Sequence, residues 1–131
     1  MQLQPQKIED VDVLVDERNG LMWLTEDLSS NAMVPNAADK KVAKFSAAGF
    51  SDWRVPTLPE LETLRDLECF NPAADPALNL KSALYMTSTD VAAHRGEYVW
   101  GVSFCNGGSV YLYRHGDRAF VRLVRSVAPR Q

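Results

Sequence analysis

Cysteine and histidine are nearly absent from this 131-residue chain: it holds two of each, Cys69 and Cys105, His94 and His115. Two cysteines are too few for a disulfide scaffold, and a domain of this length can bury a sufficient core without one. A structural metal site draws several His or Cys at set spacings, and no such spacing occurs, so no metal is expected. No EF-hand loop points to calcium, and no nucleophile elbow surrounds a serine. There is no apolar run of the ~18–20 residues that a membrane crossing needs. Behind Met1-Gln2-Leu3-Gln4-Pro5-Gln6-Lys7 no apolar export core follows, so the chain is expected to be cytoplasmic. A basic excess is missing too: the net charge is −3, and no nucleic-acid-binding motif appears, which argues against a nucleic-acid partner.

What remains is ordinary globular composition, 46% hydrophobic with charges of both signs, and no linker, repeat or low-complexity tract. One domain over residues 1–131 is expected. The charge is uneven along it. Residues 1–93 hold eight lysines and arginines against fifteen carboxylates, while residues 94–131 hold six arginines against Glu97 and Asp117. A basic end can meet an acidic partner, or the two halves can neutralise each other inside one fold.

The periodicity predicts a strand at Asp12–Val15, a turn at Asp16-Glu17-Arg18-Asn19-Gly20 and a returning strand at Leu21–Leu24. A first helix is predicted over Ala37–Ala48, with Asn36 as its cap, Gly49 as its end and Ala38, Val42 and Phe45 on one face. Thr57-Leu58-Pro59-Glu60 has the form of a capping box. It opens a second helix with Leu58, Leu61, Leu64 and Leu67 aligned, ending before Asn71-Pro72. From residue 84 the period becomes two. Leu84–Ser88, Tyr98–Cys105, Ser109–His115 and Ala119–Val127 read as strands, the last three joined by turns at Asn106-Gly107-Gly108 and Gly116-Asp117. Two helices segregated from an antiparallel meander give an α+β domain.

Several stretches together resemble one family. They are Val15–Trp23, the block Gly49-Phe50-Ser51-Asp52-Trp53-Arg54-Val55-Pro56-Thr57-Leu58-Pro59-Glu60-Leu61, then Tyr85–Thr89, Val102–Gly108 and Val121-Arg122-Leu123-Val124-Arg125. In this order, over about residues 12–127, the chain resembles the Lcl C-terminal domain family, named for the Legionella collagen-like protein. The resemblance implies a C-type-lectin-like fold, related to formylglycine-generating-enzyme-like domains, with two helices packed on a small twisted antiparallel sheet. It also implies a binding surface in the irregular later segments, and for the namesake an adhesive role towards sulfated polysaccharides. Many relatives carry a cysteine in the first helix and another in the final Val-Arg-x-Val-Arg. Val42 and Leu123 stand there instead, as an apolar pair that needs no oxidation.

Within this frame Trp23, Trp53, Asp52 and Arg54 are read as structural, the tryptophans as core anchors and the charges as partners for loop groups. Cys69 and Cys105 are read as small buried hydrophobes. In Ser109–His115, Val110 and Leu112 share one face, while Tyr111, Tyr113 and His115 share the other. Arg114, Arg118 and Arg122 would add positive charge nearby. Together with Trp100 and Asn106, the residues Tyr111, Tyr113, Arg114, His115 and Arg118 form the candidate ligand site, since Tyr, Trp and Arg dominate binding hot spots. The same face could instead be buried or pack on another subunit, so a homo-oligomer stays open. The expected function is non-enzymatic recognition of a protein or an anionic glycan, without a cofactor. The alternatives are a phage-related or diversity-generated variable binder and an enzyme of the formylglycine-generating type.

Overall fold

The computed structural model describes residues 3–66, 69, 72, 74–105 and 107–127. Two antiparallel sheets dominate. The first has the order β1-β2-β3-β7, from Gln4–Ile8 (β1), Val11–Asp16 (β2), Leu21–Leu24 (β3) and Val124–Ser126 (β7). The second has the order β4-β5-β6, from Leu84–Asp90 (β4), Tyr98–Ser103 (β5) and Ser109–Tyr113 (β6). Among the described residues only α1, Pro35–Val42, is an α-helix of more than five residues, since α2, Leu58–Glu62, has five.

This corrects the expected α+β, C-type-lectin-like arrangement of two helices on one small sheet. The domain is mostly β, and the helices are minor. The first helix starts earlier than expected, with Val34 at the N-cap and Pro35 in the first turn, so Asn36 is not its cap. It stops at Val42, and an Ala47–Phe50 bridge then reverses the chain through Ala48 and Gly49, both at positive φ. The Ala38, Val42 and Phe45 spacing is real burial on one cluster, but it spans a helix and the loop after it. In the second case the capping box forms, with Thr57 N–H donating to Glu60 and Glu60 N–H to Thr57 Oγ1. The turn it opens ends at Glu62, although Leu61 and Leu64 are both fully buried. Leu67, expected further along it, lies outside the described residues.

The last strand also differs from expectation. β7 leaves the meander and pairs with β3, Met22 opposite Arg125 and Trp23 opposite Val124. The neighbouring runs Val13-Leu14-Val15 and Leu21-Met22-Trp23-Leu24 are apolar at every position. Strands that are apolar on both faces must be covered on both. Val13, Val15, Met22 and Leu24 belong to one core cluster with Trp53, Met86, Val99 and Leu112. Leu14, Leu21 and Trp23 point the other way, to Leu61, Leu64, Tyr85 and Phe104. The β2–β3 hairpin is thus the middle layer between two cores. Its turn is built by Asp16, which accepts from Asn19 N and Nδ2, while Gly20 takes the positive φ. In β5, Gly101 permits close approach: a Cβ there would lie 2.6 Å from Leu112 Cδ1 and 3.1 Å from the Tyr85 carbonyl oxygen.

Candidate functional site

Alternation along β5 and β6 sets the site. Tyr98 lies directly opposite Tyr113, and Trp100 opposite Tyr111, so four aromatic side chains share one face of the second sheet. The same face continues to Val102, which is buried with Leu61 and Leu64 under α2. α2 covers that end only. Beyond it the rings continue towards solvent, with Tyr111 52% and Tyr113 39% exposed and Tyr98 and Trp100 half-buried. On the opposite face Val99 and Leu112 are buried in the core, which fixes the orientation of the strands.

The rings touch in series. Trp100 and Tyr111 meet edge to face with centroids 4.6 Å apart, and Tyr98 and Tyr113 lie 5.4 Å apart. His94 stands 5.2 Å from Tyr98, and His115 stands 5.4 Å from Tyr113, extending the array on both sides. Such pairs hold one another in place, so little rotamer freedom is left to lose on contact with a ligand. The Asp117 carboxylate accepts from Tyr113 N at 2.8 Å, closing the turn after β6, and Asn36 Nδ2 lies 2.9 Å from His115 Nδ1.

The arginines are placed differently from the sequence expectation. Arg114 does not project beside the tyrosines as a free cation. Its guanidinium, 18% exposed, is bound to Asp39 and Asp90, each at 3.1 Å, linking α1 to the end of β4. Arg122 is 1% exposed and belongs to the interior. It donates to Asp27 from Nε and Nη2, to the carbonyls of Leu24 and Leu78 from Nη1, and to that of Asn79 from Nη2. All five N–H groups are accounted for. Asp27 in turn accepts from Lys81 and from the Tyr85 hydroxyl, and burial raises the Tyr85 phenol well above its ordinary range. Arg118 alone of the three is exposed, and it makes no ion pair among the described residues. Asn106, the remaining member of the expected site, lies outside the described residues.

The Asp27–Arg122–Tyr85 network lies outside the sequence expectations, yet it has a signal in the sequence. Arg122 stands inside Phe120-Val121-Arg122-Leu123-Val124, where apolar neighbours on both sides imply burial, and a buried guanidinium requires a carboxylate.

Trp53 is buried, and its Nε1 donates to the Ala47 carbonyl at 2.9 Å. Trp23 is wholly buried in the other cluster. Asp52 and Arg54 do not pair with each other. Asp52 binds Arg125, which also covers the Phe50 ring at 3.6 Å, and Arg54 binds Glu60 through two contacts of 2.6 and 2.8 Å. Hydrogen bonding to arginine lowers both carboxyls below their ordinary ranges. The block therefore clamps β7 from both sides and braces the Thr57 cap. Val42 and Leu123 pack in the same cluster, as an apolar stand-in for a bridge requires. Cys69 is half-buried with its thiol 3.6 Å from Asp66 Oδ2, and Cys105 is exposed rather than buried, its thiol 3.0 Å from the Ser82 carbonyl oxygen.

No group of three His, Cys, Asp or Glu able to hold a metal ion occurs among the described residues, and no helix of these is long and apolar enough to cross a membrane. A cleft of about 810 Å³, lined by Gln6 of β1, the Asp16–Gly20 turn, Met22 and Val127, shares no residue with the aromatic array. Its buried carboxylate, Asp16, is already engaged by Asn19. Residues 12–125 match the family model described as the Lcl C-terminal domain. No curated protein matches the chain.

Proposed function

Because the chain belongs to the Lcl C-terminal domain family, we propose that it is a non-enzymatic recognition domain whose contact surface is the Tyr98, Trp100, Tyr111 and Tyr113 face of β5 and β6. One observation carries this reading. Tyr111 and Tyr113 are the large hydrophobic side chains left exposed among the described residues, and they sit side by side on a rigid sheet. Isolated exposed aromatics are common, whereas a contiguous ring array on a fixed scaffold is what interfaces favour.

A protein is the ligand that this surface fits best. Arg114 is occupied by Asp39 and Asp90, and Arg122 is interior, so two of the three arginines expected to attract an anion are committed elsewhere. Contact here is mainly aromatic. The exposed Arg118 favours an anionic glycan as the second reading. The two differ in salt dependence, since exposed charges are screened over about 8 Å at physiological ionic strength. Capture from a host lysate and retention on heparin, each at low and moderate salt, test both. A protein partner lost on Tyr111→Ala and insensitive to salt supports the first reading. Heparin retention lost on Arg118→Ala and falling with salt supports the second. Unchanged capture and retention in both variants would remove the face as the contact surface.

A further inference from the structure

The outer edge of β6 carries a second kind of contact, made by backbone rather than rings. Tyr113 N–H donates to Asp117 Oδ2, and its carbonyl accepts from Gly116 and Asp117, so its peptide groups point away from β5. By alternation those of Tyr111 and Ser109 point the same way. At the other end the Gly107 carbonyl accepts from Arg65 Nη1 at 2.8 Å. Side chains thus close the edge at Gly107 and at Tyr113. Between them the N–H and C=O groups of Ser109 and Tyr111 have no partner among the described residues, and both residues are exposed.

The other free sheet edge is built differently. β1 carries Pro5 and Lys7, residues that discourage strand addition, whereas Ser109–Tyr113 contains no proline and no charge. We propose that β6 pairs antiparallel with β6 of a second copy about a two-fold axis at Val110, joining two three-stranded sheets into one. The open groups match this pairing in number. Ser109 would exchange two hydrogen bonds with the partner's Tyr111, and Tyr111 two with the partner's Ser109, using all four groups on each side. No like charges are brought opposite one another within the strand, and Glu62, beside the Ser109 hydroxyl, is already near Arg65 at 3.8 Å. Five residues a side bury far less than the ~1,000 Å² of a stable interface, so the dimer is a weak one. The pairing is independent of ligand recognition, because it uses peptide groups and leaves the rings on their face.

Sedimentation equilibrium of the full chain from about 10 μM to about 1 mM tests it, over the range in which so small an interface associates. Wild type should shift towards dimer with concentration. Ser109→Pro removes an outward N–H that the monomer does not use, so it should stay monomeric with unchanged melting. Ser109→Lys with Tyr111→Lys puts like charges opposite each other and should also abolish the dimer, whereas Ser109→Glu with Tyr111→Lys puts opposite charges there and should restore it. A wild type monomeric throughout, a dimer that survives Ser109→Pro, or Glu/Lys and Lys/Lys variants that associate equally would each overturn the pairing. Ligand capture retained by monomeric Ser109→Pro separates this result from the fate of the proposed function.

Discussion

The Asp52-Trp53-Arg54 segment and the β5–β6 face both bring aromatic rings together with arginines, but they close differently. In the first, every group has an internal use. Trp53 is buried and hydrogen-bonded, Asp52 holds Arg125, and Arg54 holds Glu60 and Ser126. In the second, Arg114 is committed to carboxylates while the rings of Tyr111 and Tyr113 remain in solvent. An aromatic–arginine motif therefore takes its meaning from where its partners lie. Damage to the first region should appear as lost stability, and damage to the second as lost binding at constant stability.

The largest effect should come from Trp53→Ala. Emptying that site should cost about 3–5 kcal/mol, read by chemical denaturation, and a variant as stable as wild type would remove Trp53 from the core. Arg122→Met should follow at about 3 kcal/mol, because it leaves the Asp27 carboxylate, 3% exposed, with Lys81 as its one cationic partner among the described residues. Adding Asp27→Leu should return much of that loss, since no buried charge is then left behind. Glu60→Gln should cost about 1 kcal/mol at neutral pH, because a glutamine can still cap Thr57 but gives up the charge-assisted pair with Arg54. Its sign with pH is fixed: Arg54 lowers the folded Glu60 carboxyl, so its contribution is full above the ordinary glutamate range. That contribution disappears as pH falls through the lowered value. The gap between wild type and Glu60→Gln should therefore close in acid, as melting curves across pH will show. Tyr111→Ala should change stability least, within about 0.5 kcal/mol, as at other exposed positions.

Local structure was legible where one residue type has one use. Asn19-Gly20 marked the hairpin, Thr57 and Glu60 marked the capping box, and the alternation in Ser109–Tyr113 placed the tyrosines on the outer face. Long-range pairing was not legible. Nothing in Val124–Ser126 distinguishes a partner in β3 from one in β6, and that choice turned the expected meander into two sheets. Helix length was overestimated because Ala38, Val42 and Phe45 reach one cluster across a helix end. The arginines failed for a related reason. Arg114 and Arg122 find carboxylates at Asp39, Asp90 and Asp27, distant in sequence, so their charge could not be assigned to the surface or the interior from local spacing.

The most direct measurement compares wild type with Tyr111→Ala plus Tyr113→Ala in quantitative capture from host lysate at two salt concentrations, with melting recorded alongside. Matched melting with captured partner reduced about tenfold or more, as expected when hot-spot aromatics are truncated, is the result that follows from a recognition face on β5 and β6. Matched melting with the same partners captured at the same yield would contradict it.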